Sequence, residues 1–381
     1  MVSSTDSSIY EYPAQLACKK HGYFATAPAE SILERKAAFL IHDRRFSKIL
    51  GDSPILSVTV EDPIRPFAHE AGVYIPATGD VFITSSHLVK DGEKHVQISR
   101  VFPSHGKASD INGMHQLGHG MELVHPEPNI IMANGGVNYR DGVLFCEQGN
   151  LTEPGGLTYM DGHRNSTTGE YTTTNLLSSY YGRWFNSVND IVVHANGSIW
   201  FTDPPYGYEQ GIRPVPQLPA QTYRFDPSTG NVRAVEDSLK KPNGLCFSPD
   251  QRVMYITDTA GVRGATTCPG VYSRTGAASV YAFDVVTRSG GQFLTNKRLF
   301  AFADRGIPDG IECDRAGNVY SGCGDGVHVW AADGTLIGKI VIPGGCANFC
   351  FGQAGELFLL NERQIWRVQL AVTVRGDLLG L

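Results

Sequence analysis

The chain has 381 residues, of which 41% are hydrophobic and 18% charged, enough apolar material for a large core and no sign of bulk disorder. A formal net charge of −6 leaves no basic surface to offset phosphate repulsion, which argues against nucleic acid as a partner. No apolar run approaches the roughly 20 residues that span a bilayer, so no membrane segment is expected.

The opening MVSSTDSS lacks the charged and apolar regions of a secretory leader. A soluble protein is expected, either cytoplasmic or secreted with its leader removed. The stretch PAESILERKAAFLIHDRRFSKIL places Ile32, Leu33, Ala37, Leu40 and Ile41 at helical spacing before the stop GDSP. Residues 1–55 are therefore expected to form an extension whose helix packs outside the main body and closes one end of it.

From about residue 56 a pattern recurs six times, an oxygen-bearing side chain followed by a strand, a turn and a second strand. The copies are Glu70 before ATGDVFIT, Asn134 before RDGVLFCE, Asn189 before ANGSIWFTD, Asn243 before SPDQRVMYITD, Asp309 before RAGNVYSG and Asn348 before QAGELFLL. The turn residues Gly79, Gly142, Gly197, Gln251, Gly317 and Gly355 are spaced as in propeller blades. YRFDPSTGNVRAV and VYAFDVVTRSGGQF read as outer hairpins. The pattern predicts an all-β, six-bladed β-propeller over residues 56–381, closed near RQIWRVQL. Four long insertions, SRVFPSHGKASDINGMHQLGHG, TYMDGHRNSTTGEYTTTNLLSSYYGR, PPYGYEQGIRPVPQLP and TAGVRGATTCPGVYSRTGA, are expected to form a lid over one face.

The eight cysteines include no CxxC pair, and Cys146, Cys246, Cys313 and Cys350 fall in strand patterns that suit buried free thiols. Asn150-Leu-Thr, Asn165-Ser-Thr and Asn196-Gly-Ser are glycosylation sequons.

In a propeller the first strand of each blade lines the axis, so the six opening residues would converge there. Two carboxylates among neutral amides suit a hard divalent cation, and the absence of His and Cys at these positions disfavours zinc and copper. Each residue alone is equally well read as a turn or capping residue. Pro-Asn-Gly at Asn243 and Pro-Asp-Gly at Asp309 repeat one backbone design.

NDIVVHANGSIWFTDPPYG, KPNGLCFSPDQRVMYITDT, IPDGIECDRAGNVY and HEAGVYIPATGDVFITS resemble motifs of the gluconolactonase, senescence-marker-protein and luciferin-regenerating-enzyme family. The N-terminal extension, MANGGVNYRDGVLFCEQGN and the insertions resemble its fungal lactonohydrolase branch. The resemblance implies a six-bladed propeller with one divalent cation, commonly calcium, that hydrolyses sugar and related lactones. Its motifs assign the metal ligands to Glu70, Asn189, Asn243 and Asp309, with Asp309 also activating water. An arginine that contacts substrate in the animal branch is replaced by Ser187.

A cation polarising the lactone carbonyl, with Asp309 as general base, is the expected chemistry. No GxSxG elbow is present. Substrate contacts are expected from Asn134, Asn189, Tyr206, Glu209 and His125, with His69, His115 and His163 as weaker candidates. SSYYGRWFNS is read as packing. The expected partner is a small lactone of the aldonolactone or pantoyl type, bound by a monomer or homodimer. A non-catalytic calcium-binding propeller, or an esterase or phosphoesterase on the same fold, are the alternatives.

Overall fold

The computed structural model describes residues 8–11, 37–102, 120–261 and 276–379. Six antiparallel sheets radiate from one axis as blades. Their innermost strands are Glu70–Ile75, Ala133–Tyr139, Ile191–Val193, Pro242–Phe247, Ile311–Cys313 and Asn348–Phe351, and each contacts the next around the ring, the last returning to the first. The corresponding outer strands of blades 1 to 5 are Met121–Leu123, Tyr171–Leu177, Asn231–Glu236, Gly291–Phe302 and Leu336–Val341. In blade 6 the outer strand is Ile55–Glu61, which pairs antiparallel with Gln364–Gln369 and so closes the ring with the N-terminal side of the chain.

The N-terminal expectation is corrected in part. Residues 12–36 lie outside the described residues. Ala38–Ile41 is a strand, not a helix, and pairs antiparallel with Leu336–Val341 at the edge of blade 5. Ser8–Glu11 pairs parallel with it from outside. The free edge of blade 5 offers backbone partners that the helical spacing of Leu40 and Ile41 does not outweigh. Among the described residues of the extension the helix is Arg44–Leu50, where Asp43 caps it by accepting the Arg45 N–H.

Each blade is covered by a blade on either side, so second strands such as Asp80–Thr84, Gly142–Glu147 and Ile199–Asp203 are buried throughout, not alternately. The core is correspondingly divided into six apolar clusters, one in each gap between neighbouring blades. Trp200, Phe247 and Phe283 fill the gap between blades 3 and 4, while Phe46 of the helix joins Trp366 and Phe349 between blades 5 and 6. Tyr180 and Phe185 of the SSYYGRWFNS region pack ring on ring against Tyr223 of blade 3 in the gap between blades 2 and 3. Cys146, Cys246, Cys313, Cys323, Cys346 and Cys350 are buried free thiols, and Cys18 and Cys268 lie outside the described residues.

Strand direction decides which loops share a face. The first strand of a blade runs away from its opening residue, so second-to-third loops and blade-to-blade links lie on the face of those opening residues. Pro204–Pro219 and the described ends of 259–277 are on that upper face. The segment 99–120 joins third to fourth strand, so its described ends, Phe102 and Gly120, lie on the opposite face, and 158–183 contains the outer hairpin of blade 2. Among the described residues, the ends of the first insertion and the hairpin turn of the second therefore face away from the axial mouth. Residues 178–183, in the link from blade 2 to blade 3, lie on the upper face. A short hairpin, Leu88–Lys90 with Glu93–His95, stands on the upper face instead.

At the axis the strands come so close that the residue after three of the six opening oxygens, those of Asn134, Asn243 and Asp309, must lack a side chain. A Cβ on Gly135 would overlap the Asn189 carbonyl oxygen, one on Gly244 the Asp309 carbonyl oxygen, and one on Gly310 the Asn348 side chain. The Asn-Gly and Asp-Gly pairs are therefore points of close approach between blades, and their glycines do not make turns. Hydroxyls staple the same places. Thr84 donates to the Asn134 carbonyl at 3.0 Å, Thr202 to the Asn243 carbonyl at 2.7 Å and Thr257 to the Asp309 carbonyl at 3.1 Å. Each of these threonines is fully buried at the end of a second strand.

On blade 5, off the axis, Lys339 Nζ lies 2.5 Å from Asp304 and 3.2 Å from Asp325, and His328 Nε2 lies 2.6 Å from the other Asp325 oxygen. Burial pushes the Asp325 carboxyl up, but His328 and Lys339 outweigh it and hold it at about 2.

Two outcomes follow from this packing. Gly310→Ala should lower stability by about 1–3 kcal/mol through overpacking at the axis, read as a fall in thermal midpoint. Asp325 titrates below the unfolded value of about 3.9, so its contribution is full above that pH and lost as pH falls toward 2. Asp325→Asn should therefore be less stable than wild type at pH 7, with the gap narrowing below pH 4. An equal gap at both pH values would contradict the assignment.

Candidate functional site

Each opening oxygen stands where an innermost strand begins on the upper face. Glu70 and Asn348 open their strands, Asn134 and Asn243 are second, and Asn189 and Asp309 precede theirs by two residues. Backbone contacts fix them. The Asn189 N–H donates to the Thr202 carbonyl at 2.9 Å, and its own carbonyl accepts from Gly135 N at 2.9 Å and Asn134 Nδ2 at 3.1 Å. The Asp309 N–H donates to the Gly322 carbonyl at 2.8 Å.

With the backbone so held, the side-chain oxygens are left over. Asn189 Oδ1 and Asp309 Oδ1 are buried without a hydrogen-bond partner among the described residues. Such orphaned atoms cost roughly 1–3 kcal/mol each when nothing satisfies them. Burial, with Asp309 and Asp190 adding like charge, raises the Glu70 carboxyl to about 8. Burial also raises Asp309 to about 6, against the pull of His69 and of a hydrogen bond from Asn243. The nearby His69 is opposed by burial but held up, to about 10, by Glu362, Glu70 and Asp309. Its Nδ1 lies 2.6 Å from Glu362 Oε1. Asp190, one residue past Asn189, accepts from Ile191 N at 2.8 Å, and burial raises it to about 7. The mouth of the axis thus brings Glu70, Asp309 and Glu362 near the His69 imidazolium, with Asp190 close to Glu70 and Asp309, and two hard oxygens left unsatisfied among the described residues. Carboxylate and amide oxygens without sulfur are the donor set of calcium or magnesium, so Glu70, Asn189, Asn243 and Asp309 fit such an ion.

The remaining two ring members act as buttresses. Asn134 commits its amide N–H to Asn189, and Asn348 donates to Glu70 Oε2 at 2.8 Å while accepting from its own neighbour Phe349 N at 2.8 Å. Tyr206 sits on the short helix Tyr206–Glu209, its hydroxyl hydrogen-bonded to Thr259 Oγ1 and 3.3 Å from Asn243 Nδ2. Glu209 is occupied by Lys241 at 2.7 Å, and that ammonium also lies 5.7 Å from the centre of the Tyr206 ring. Glu209 therefore orders Lys241 and Tyr206 instead of presenting a free carboxylate. Ser187 is buried beneath this helix, donating to the Pro204 carbonyl at 2.7 Å and accepting from Gly207 N at 2.9 Å.

His125 is not brought to the axis. It is exposed beside the outermost strand of blade 2, where its carbonyl accepts the Tyr171 N–H at 3.1 Å. His163 is likewise exposed on an outer hairpin, and His115 lies outside the described residues. Glu362 and Thr259 were missed by sequence reasoning. Both follow the last residues of a second strand, the place where Thr84, Thr202 and Thr257 also stand, and that shared position is the signal that points to them.

Asp304, Asp325 and His328 also bring ligand atoms within 4.8 Å of one another and form a second group able to hold a metal ion. There the ammonium of Lys339 already supplies positive charge, at 2.5 Å from Asp304. Among the described residues, His69 is the one cation shown beside Glu70 and Asp309, and Glu362 already holds it, so the axial set is the group with charge left to neutralise.

Residues 97–361 match the family model described as SMP-30/Gluconolactonase/LRE-like region. Lactonohydrolase oryL of Aspergillus oryzae is 31% identical over 365 residues, covering 91% of this chain and 78% of that protein. The gluconolactonase of Zymomonas mobilis is 29% identical over 204 residues, 51% of this chain and 53% of that protein. A solved gluconolactonase from Xanthomonas campestris matches with a TM-score of 0.65 at 27% identity, over 87% of this chain and 94% of that one. With its six blades and most of its length inside that family model, the chain belongs to the SMP-30/gluconolactonase/LRE-like family.

Proposed function

We propose that this protein hydrolyses a small lactone, of the sugar aldonolactone or pantoyl type, to the hydroxy acid at the axial mouth, with one divalent cation, calcium, held by Glu70, Asn189, Asn243 and Asp309. The observation that carries this reading is the pair of buried, unpartnered oxygens Asn189 Oδ1 and Asp309 Oδ1 beside Glu70. The lactonohydrolase and gluconolactonase names of the relatives support the reaction class. When bound, the cation supplies positive charge that polarises the lactone carbonyl and stabilises the oxyanion formed on water attack.

The chain's own residues do the rest. Asp309 takes the proton of the attacking water and returns it to the ring oxygen as the C–O bond breaks. Asn189 and Asn243 contribute oxygen without charge, so the potential at the site stays positive toward the carbonyl. The Tyr206 hydroxyl, held between Thr259 and Asn243, is placed to hydrogen-bond to substrate oxygen. His69, fixed by Glu362, presents a cationic N–H at the same mouth and favours an anionic product.

Chelation should abolish acid release from an aldonolactone in a pH-stat, and added calcium should restore it. Calcium at about 100 times its dissociation constant should add about 2.7 kcal/mol to stability, seen as a rise in thermal midpoint. Asp309→Asn should stay folded yet lose about 100-fold or more in kcat/KM. Unchanged turnover in that variant, or after metal stripping, would sink the reading. Calcium stabilisation with no turnover on any lactone would favour the non-catalytic binding propeller.

A further inference from the structure

The upper-face loops of blades 1, 2 and 3 enclose a cleft of about 720 Å³ beside the axial mouth, within the roughly 300–1,000 Å³ of small-molecule sites. One wall is the hairpin Leu88–Lys90 with Glu93–His95, the other the turn Asn150–Thr152, and Ile130–Met132 form the floor. Both walls are tied down. Lys94 Nζ reaches across to the Gln210 carbonyl at 2.7 Å, joining the hairpin to the loop of blade 3. The buried Arg213 donates to the carbonyls of Asn150 at 2.7 Å and Glu153 at 2.6 Å, and Asn150 Oδ1 accepts from Thr152 N and Glu153 N, both at 2.8 Å.

Lys94, Arg213 and Asn150 are thus spent on holding the walls, while Glu93, His95 and Asn129 give the cleft a polar side. Leu151, 63% exposed, stands on the wall of this cleft with Val96, Ile131 and Ile212 also lining it. An exposed leucine alone means little, but one held on a rigid turn over an apolar floor makes a surface for an aliphatic chain. The floor runs along the chain toward the site, since Met132 is two residues before Asn134, and its carbonyl accepts the Gln148 N–H at 3.1 Å.

We propose that this cleft is a subsite for an aliphatic substituent on the lactone ring, so that of the two types named above the alkyl-bearing, pantoyl type is preferred over the polyhydroxylated aldonolactones. The inference rests on the hydrolase reading of the axial site. Its test is a series of γ-lactones with linear substituents from methyl to heptyl, kept below their aggregation limits, run on wild type and on Leu151→Asp, with Leu151→Asn as a milder variant. In parallel, binding of the matching non-hydrolysable γ-lactams is followed by calorimetry.

Wild-type kcat/KM and lactam affinity should both rise by about threefold per added methylene over the first few carbons. In the Leu151 variants the long-chain members should fall about tenfold while the methyl lactone is unchanged. A series flat in chain length, with the methyl lactone still hydrolysed, overturns the subsite and leaves the hydrolase standing. No turnover of any lactone, together with chain-length-dependent lactam binding that Leu151→Asp removes, supports the cleft and overturns the hydrolase. Flat binding with no turnover overturns both.

Discussion

The structure depends on how closely six innermost strands approach one another at the axis. Blades that meet there cannot carry side chains at every position, so Gly135, Gly244 and Gly310 stand where a Cβ would strike the neighbouring blade. Buried threonine hydroxyls then bridge blade to blade by bonding the carbonyls of Asn134, Asn243 and Asp309. These contacts stabilise the ring and, by the same bonds, fix the residues whose side chains face the mouth. Fold and site are set by one constraint. The ring itself is closed by Ile55–Glu61, so the strand that completes blade 6 comes from the opposite end of the chain to the strand it pairs with.

The electrostatics follow from that rigidity. Glu70, Asp190 and Asp309 are brought together in a buried site, with the half-exposed His69–Glu362 pair supplying the nearby cation. Burial raises Glu70 to about 8 and Asp309 to about 6, as expected of carboxylates short of positive charge. The contrast with blade 5 is instructive. There Lys339 and His328 attend Asp325 and hold it at about 2, so that cluster is an internal ion-pair network and adds stability at neutral pH. Two clusters of similar composition therefore do different work, according to whether the chain supplies the counter-charge itself.

Much of this was legible in the sequence because a radial repeat writes itself as a period. The six opening oxygens, the blade spacing and the buried cysteines in strands are all local patterns, and the structure places them in six sheets with six apolar gaps. What escaped depended on long-range contact. Ala38–Ile41 has helical spacing but takes the free edge of blade 5, a partner some three hundred residues away in sequence. Glu209 reads as a free loop carboxylate until Lys241 is seen beside it, and His125 reads as a loop histidine until it is found at the rim of blade 2. The lid was overestimated because loop length does not reveal loop face. Only the alternation of strand direction shows that the described ends of 99–120 lie opposite the axial mouth.

The most direct test of the account is anomalous diffraction from crystals soaked in calcium or a lanthanide substitute. The account predicts one strong peak on the axis, bonded by oxygens of Glu70, Asn189, Asn243 and Asp309, and its loss in Asp309→Asn. A peak at Asp304, Asp325 and His328 with the axial mouth empty, or no ordered ion at all, would contradict it.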